Sequence, residues 1–165
     1  MVEITYQMVL STLQTIALVV GIVYYLIIMR NSQRSQQMQL ETRQAQLLMQ
    51  VYSRLDTPEK VRALQEVFLW EFKDIDEFVE KYWNPEDYHK LGTLVLFFGG
   101  AGTLVRTGDL PIEKVSLLIG GLTILVWEKF KPIKDELREF WNMPGWANSW
   151  EYLYDELVKH GAKSI

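Results

Sequence analysis

The chain has 165 residues, no cysteine and a net charge of −4, room for a membrane anchor plus one domain with a single hydrophobic core. Lack of cysteine excludes disulfide staples, iron–sulfur clusters, thiolate zinc sites and cysteine nucleophiles. Charge is uneven: residues 30–55 carry +3, residues 56–90 carry −5 and residues 91–142 are neutral, so no basic stripe runs along the domain and nucleic acid is not expected as a partner.

From Met8 to Met29 there are 22 residues without a charge, the last 14 all non-polar or aromatic. As a helix this stretch spans about 33 Å, enough for a bilayer core of about 30 Å. A cleaved signal peptide is the rival reading, but no basic residue precedes the run and no small-residue cleavage site follows it. Arg30, Arg34, Arg43 and Arg54 all follow it. The positive-inside rule then predicts a plasma-membrane protein with its N-terminus outside and the remainder in the cytoplasm. Ala17 and Gly21 form a small-xxx-small pair that lets another helix approach closely, and Gln14 can hydrogen-bond across such an interface, so these three are candidate helix-pairing residues. The alternative is that Gln14 meets the outer headgroups while Ala17 and Gly21 face lipid. Tyr24 and Tyr25 suit the inner headgroup region.

Beyond Arg30 the chain is rich in glutamine and free of glycine and proline up to Asp56, which predicts that the anchor continues as a helical stalk. Met38, Ala45 and Tyr52 fall seven apart, as do Glu41, Leu48 and Leu55. Glu41 spoils that seam for a coiled coil. Leu47, Leu48, Val51 and Leu55 are therefore expected to pack on the protein's own domain. The organisation expected is residues 1–29 as N-terminal segment and anchor, 30–56 as stalk and 57–165 as bundle.

Asp56-Thr57-Pro58-Glu59 supplies a cap, a proline at the first helical position and an acid in the first turn. The helix it opens aligns Val61, Leu64, Phe68 and Phe72. Asp74 begins a short helix ending near Trp83, and Asn84-Pro85-Glu86-Asp87 opens a longer one over 85–106 that Gly108 ends. Another begins after Asp109-Leu110-Pro111 and runs through Trp127 to a break at Lys131-Pro132. Helix resumes over Ile133–Trp141, Met143-Pro144-Gly145 makes a turn, and a last helix covers Ala147 to His160. No segment alternates with a strand's period. The fold class is all-α, an N-terminal transmembrane helix continuing into a cytoplasmic bundle of five or six helices.

Leu91–Val105 and Val115–Trp127 are apolar nearly all round but only 15 and 13 residues long. They fall short of the about 17 needed to span a bilayer, so they read as core helices, with a hairpin dipping into the membrane as the alternative.

Few groups suggest chemistry. Glu86 and His89 have the Glu-x-x-His spacing of carboxylate-bridged di-iron bundles, but a second such motif is missing. Asp74, Asp76, Glu77 and Glu80 lack the spacing and glycine turn of a calcium loop. Gly99 to Gly102 lies within an apolar helix, not after a strand, so it is no phosphate cradle. No catalytic residue, metal ligand or cofactor is assigned. The most suggestive group is aromatic: Trp141, Trp146, Trp150, Tyr152 and Tyr154 fall within 14 residues. They form either a docking patch or a cap on the end of the bundle with indole N–H groups bonded to the turn's carbonyls.

In order, the anchor, the glutamine- and arginine-rich helix, LGTLVLFFGGAGTLVRTGDLP, WEKFKPIKDELREFW and PGWANSWEYLYDEL together resemble a prokaryotic family of small membrane-anchored proteins of unknown function. The resemblance covers nearly the whole chain and includes Trp127, Pro132, Arg138 and Trp150. It implies a bacterial or archaeal plasma membrane and no particular reaction or substrate. The sequence thus points to a non-enzymatic interaction subunit. It is either accessory to other membrane subunits or a self-associating homo-oligomeric scaffold. The alternatives are a small-ligand sensor with a site between the glycine-rich helices and a metal-dependent enzyme built on Glu86 and His89.

Overall fold

A computed structural model describes residues 6–54 and 57–161. Leu55 and Asp56, and with them one heptad position, lie outside the described residues; Thr57, which precedes Pro58, makes no side-chain capping bond. The chain divides into two compact units, residues 1–43 and 44–165.

In the first unit, helix α1 (Tyr6–Ser53) begins and carries the apolar run. It is long and apolar enough to cross a membrane, and none of its apolar window is buried. Ser11, Thr12 and Thr15 return their hydroxyls to carbonyls three or four residues back, so these three groups are satisfied within the helix.

The second unit is all-helical among the described residues. It comprises the last turns of α1, then α2 (Pro58–Leu69), α3 (Ile75–Tyr82), α4 (Pro85–Arg106), α5 (Ile112–Val115), α6 (Gly121–Phe130), α7 (Lys134–Phe140) and α8 (Asn148–Lys159). A π-helical turn, Ser116–Gly120, joins α5 to α6, and a 3-10 turn, Lys131–Ile133, joins α6 to α7. With α5, α6 and α7 read as one kinked rod, this is the expected bundle of five or six helices.

Local chemistry sets many of these ends. The Asp74 carboxylate accepts from Glu77 N–H at 2.9 Å, and the Asn84 side chain accepts from Asp87 N–H at 3.0 Å, each satisfying a donor that the first turn leaves open. Pro132 removes a backbone donor, and the rod tightens there into its 3-10 turn. The π turn, by contrast, has no signal in the sequence.

Helix α2 departs from expectation. It buries Ala63 and Val67, whereas Val61 and Phe68 are exposed, and it stops at Leu69 before Phe72. Trp70 leaves the helix in an extended conformation. The Lys129 ammonium bonds the carbonyls of Phe68 and Trp70, so a tertiary cation closes the helix end that the sequence periodicity would have continued. Burial lowers the pKa of that amine.

The core centres on α4 against α8. A Cβ at Gly102 would fall 1.9 Å from the Ser149 carbonyl oxygen and 3.2 Å from Leu153 Cβ, so only glycine permits this approach. Beside it Thr103 Oγ1 donates to Ser149 Oγ at 3.2 Å, and Arg106 donates to Asn148 O at 3.2 Å. Within the core Trp150 stacks on Phe98 at 4.7 Å and meets Trp127 at 5.1 Å. Phe130 links this cluster to a second one built from Trp70, Phe72, Phe78 and Tyr82.

Candidate docking surface

The five aromatics from the C-terminal segment do not share one surface. Trp150 and Tyr154 are buried in the core, following the i, i+3, i+4, i+7 stripe that α8 makes with Leu153 and Leu157. Tyr152 is half-buried, with the Arg106 guanidinium 4.6 Å from its ring centre. The five therefore do not form one docking patch, because Trp150 and Tyr154 are inside. The indole bonds expected of a cap are also missing at two positions, because Trp141 Nε1 and Trp150 Nε1 are buried without a hydrogen-bond partner among the described residues.

Trp141 and Trp146, 4.9 Å apart, instead join residues from elsewhere in the chain. Trp83 follows α3 and lies 5.1 Å from Phe140 and 5.7 Å from Trp141. Tyr88, in the first turn of α4, lies 5.4 Å from Trp83 and 6.2 Å from Trp141. The result is a ring-to-ring aromatic plate in which Trp83, Tyr88 and Phe140 are 43%, 51% and 48% exposed, with Met143 also exposed nearby in sequence.

The turn carrying Trp141 and Trp146 is held firmly. Asn142 and Ala147 both take positive φ, 50° and 56°, a conformation disfavoured for alanine. Arg138 braces it by donating from Nε to Trp146 O (3.2 Å) and from Nη2 to Asn148 Oδ1 (2.9 Å) and Glu151 Oε2 (2.6 Å), while Nη1 meets Asp135 (3.0 Å). Lys134 pairs with the other Glu151 oxygen. Burial works to raise the Glu151 pKa, but the bonds from Lys134 and Arg138 outweigh it and hold the carboxyl below its usual value. At Arg138 burial likewise works downward, and its bonds to Glu151 and Asp135 leave the guanidinium pKa raised.

Next to the plate a groove of about 600 Å³ runs between α3 and α7, lined by Ile75, Asp76, Val79, Glu80, Glu136, Glu139 and Phe140. Phe140 belongs to both groove and plate. All four acids are exposed. The other two acids weighed at this helix are occupied: Asp74 caps α3, and Glu77 bonds Lys81 at 2.7 Å.

Elsewhere, a mixed-charge cleft of about 610 Å³ between α2 and α4 includes Lys60, Arg62, Glu66, Glu86, His89 and Lys90. Here Lys90 gathers Glu66, Asp87 and Glu86 at 2.5, 2.9 and 3.0 Å. Those bonds, the one to Glu66 foremost, raise its pKa. Glu86 thus serves a lysine rather than facing inward with His89, which is exposed. No group of three or more histidines, aspartates and glutamates is placed to hold a metal among the described residues. In α1, Gln14, Ala17 and Gly21 are exposed, and nothing lies within 4 Å of a Cβ built at Gly21.

Compared with profiles of known protein families, with curated proteins and with solved structures, the chain matches none.

Proposed function

We propose that this chain is a membrane-anchored, non-enzymatic interaction subunit that docks another membrane-complex protein through its aromatic plate. The observation that carries the reading is that Trp83, Tyr88, Phe140 and Trp141, drawn from three separate segments, are assembled ring against ring at the surface. Tryptophan and tyrosine dominate binding hot spots because they bury large rigid area at small entropic cost. The braced turn holds part of that surface ready before any partner arrives, which lowers the ordering cost of association.

In this reading α1 crosses the plasma membrane of a prokaryote with its N-terminus outside, and the bundle works in the cytoplasm. The four arginines after the apolar run support that orientation, and the resemblance noted above supports the setting. Gln14, Ala17 and Gly21 offer a second contact within the membrane. A sensor with a pocket between the glycine-rich helices has weaker support: the space beside Gly102 is filled by Ser149 and Leu153, and that beside Gly120 by Ser116 and Leu157.

Native mass spectrometry of the protein extracted from its own membranes in mild detergent tests the reading. A stoichiometric complex is expected, and a lone monomer at every concentration overturns it. For topology, a C-terminal reporter active only in the cytoplasm is expected to be active, with the C-terminal domain resistant to protease added to intact cells.

A further inference from the structure

Phe140 ties the plate to the groove beside it, and the groove's walls repeat one pattern. On α3 the sequence places Asp76, Val79 and Glu80 at i, i+3 and i+4; on α7 it places Glu136, Glu139 and Phe140 at the same spacing. Residues so spaced share one face of a helix. Each wall therefore presents two carboxylates beside apolar side chains, Ile75 and Val79 on α3 and Phe140 on α7, and the two walls meet over a groove of about 600 Å³.

No cationic side chain among the described residues pairs with these acids. Asp76, Glu80, Glu136 and Glu139 make no ion pair among the described residues, whereas several acids elsewhere in the bundle do: Glu66, Glu86 and Asp87 at Lys90, Glu77 at Lys81, and Glu151 at Lys134 and Arg138. The lining of the groove includes no lysine, arginine or histidine. Four unanswered negative charges around an apolar floor select a partner by sign.

We propose that this groove docks a basic amphipathic helix of a partner protein, its apolar face on Val79 and Phe140 and its lysines or arginines on the four carboxylates. This rests on the reading of the chain as an interaction subunit and names the chemistry of what it binds. A helix laid in a groove is an established mode of recognition. The adjoining aromatic rings extend the apolar floor and offer their faces to further cations.

The test uses the full chain in zwitterionic lipid nanodiscs and a fluorescent 16-residue helical peptide of leucine and lysine, with empty nanodiscs as blank and a leucine–glutamate peptide as the opposite-sign control. The cationic peptide is expected to bind at least tenfold more tightly than the anionic one, and more weakly as salt rises. Combined Glu80→Gln, Glu136→Gln and Glu139→Gln should weaken it about tenfold. Phe140→Ser should weaken it by a similar factor, because the floor is as necessary as the rim. Neutralising Glu113 and Asp155, outside the groove, should leave it unchanged. Equal loss from the remote and groove neutralisations, or full binding by the Phe140→Ser protein, overturns the proposal as mere charge adhesion.

In cells, p-benzoylphenylalanine placed at Phe140 should cross-link to a basic segment of another protein; capture of a second copy of this chain overturns the choice of partner. The two readings fail separately. A native complex that persists after the triple neutralisation removes the groove as the docking site and leaves the subunit reading standing, whereas absence of any complex removes the subunit reading itself.

Discussion

Trp127, Trp150, Phe98 and Phe130 form one aromatic cluster of this bundle; Trp83, Tyr88, Phe140 and Trp141 form another. Their residue types are nearly the same, and their ring spacings overlap. The first four have almost no exposed surface, while three of the second four are about half exposed. The difference lies in where the helices put them. The buried rings occupy core-facing positions within α4, α6 and α8, where neighbouring turns supply further apolar side chains. The exposed rings sit at ends: after α3, at the start of α4, and at and just past the end of α7. An end position alone does not expose a ring, since Phe130 closes α6 and Trp70 follows α2 and both are buried. The buried cluster stabilises the fold, and the second holds apolar area in reserve for association.

Truncation should separate the two most sharply. Trp150→Ala removes a fully buried indole from between Phe98 and Trp127 and is expected to cost about 3–5 kcal/mol of stability, read by chemical denaturation of the bundle. Trp150→Phe should cost distinctly less, since it keeps a ring on Phe98 and removes an indole N–H that has no partner. Equal losses from the two would show that the ring stack is not what matters there.

The contact that brings the buried cluster together is tested by Gly102→Ala. The added methyl meets backbone, the Ser149 carbonyl at 1.9 Å, so a side-chain rotation cannot relieve it and α8 must move. Overpacking of this kind costs about 1–3 kcal/mol. Gly100→Ala, where the added Cβ meets no heavy atom within 4 Å, should instead gain a few tenths through helix propensity, up to about 1 kcal/mol. Loss of stability at both positions would contradict the packing described.

How much of this contrast was legible in the sequence depends on the distance over which each feature is decided. The ends of α3 and α4 were, because Asp74 and Asn84-Pro85 act within one turn, and the break at Pro132 follows from a missing donor. The stripe Trp150, Leu153, Tyr154, Leu157 could also have been separated from Tyr152 by its spacing, which would have placed Trp150 and Tyr154 inside. Other features were decided from far away. Lys129 closes α2 across some sixty positions of chain, against the periodicity of Val61, Leu64, Phe68 and Phe72. The plate unites Trp83 and Tyr88 with Phe140 and Trp141, segments that only the assembled bundle makes neighbours. The groove is intermediate: the spacings 76/79/80 and 136/139/140 stand in the sequence, but that they face each other does not.

A smaller effect sharpens the role of the brace behind the plate. The Glu151 carboxyl has its pKa lowered in the folded state, with 4.5 as its ordinary value. The unfolded chain therefore takes up the proton first as pH falls. Stability from this group is fully present above about pH 4.5 and is lost as pH falls through the lower folded value. Glu151→Gln should reduce stability by about 1–2 kcal/mol at neutral pH, as loss of two charge-assisted bonds in a partly exposed setting implies. It should also flatten the acid limb of the stability–pH curve relative to the unaltered protein. An unchanged acid limb would mean that Lys134 and Arg138 do not hold this carboxylate in solution.

The smallest expected change in stability belongs to the plate itself, and it is the one that decides what the comparison means. Trp83→Ala removes a ring that is 43% exposed and follows the end of α3, so the loss should be limited to its contacts with Tyr88, Phe140 and Trp141, about 1 kcal/mol. Association should respond in the opposite proportion. An anchor ring at the centre of an interface commonly accounts for 2 kcal/mol or more of binding, about thirtyfold in affinity. Denaturation of the Trp83→Ala bundle, set beside native mass spectrometry of the complex it is drawn from, yields both numbers on one substitution. Small loss of stability with dissociation of the complex is the outcome expected of a docking surface. A loss matching that of Trp150→Ala with the complex retained would make the plate a second core, and the contrast between the two clusters would then be one of exposure alone.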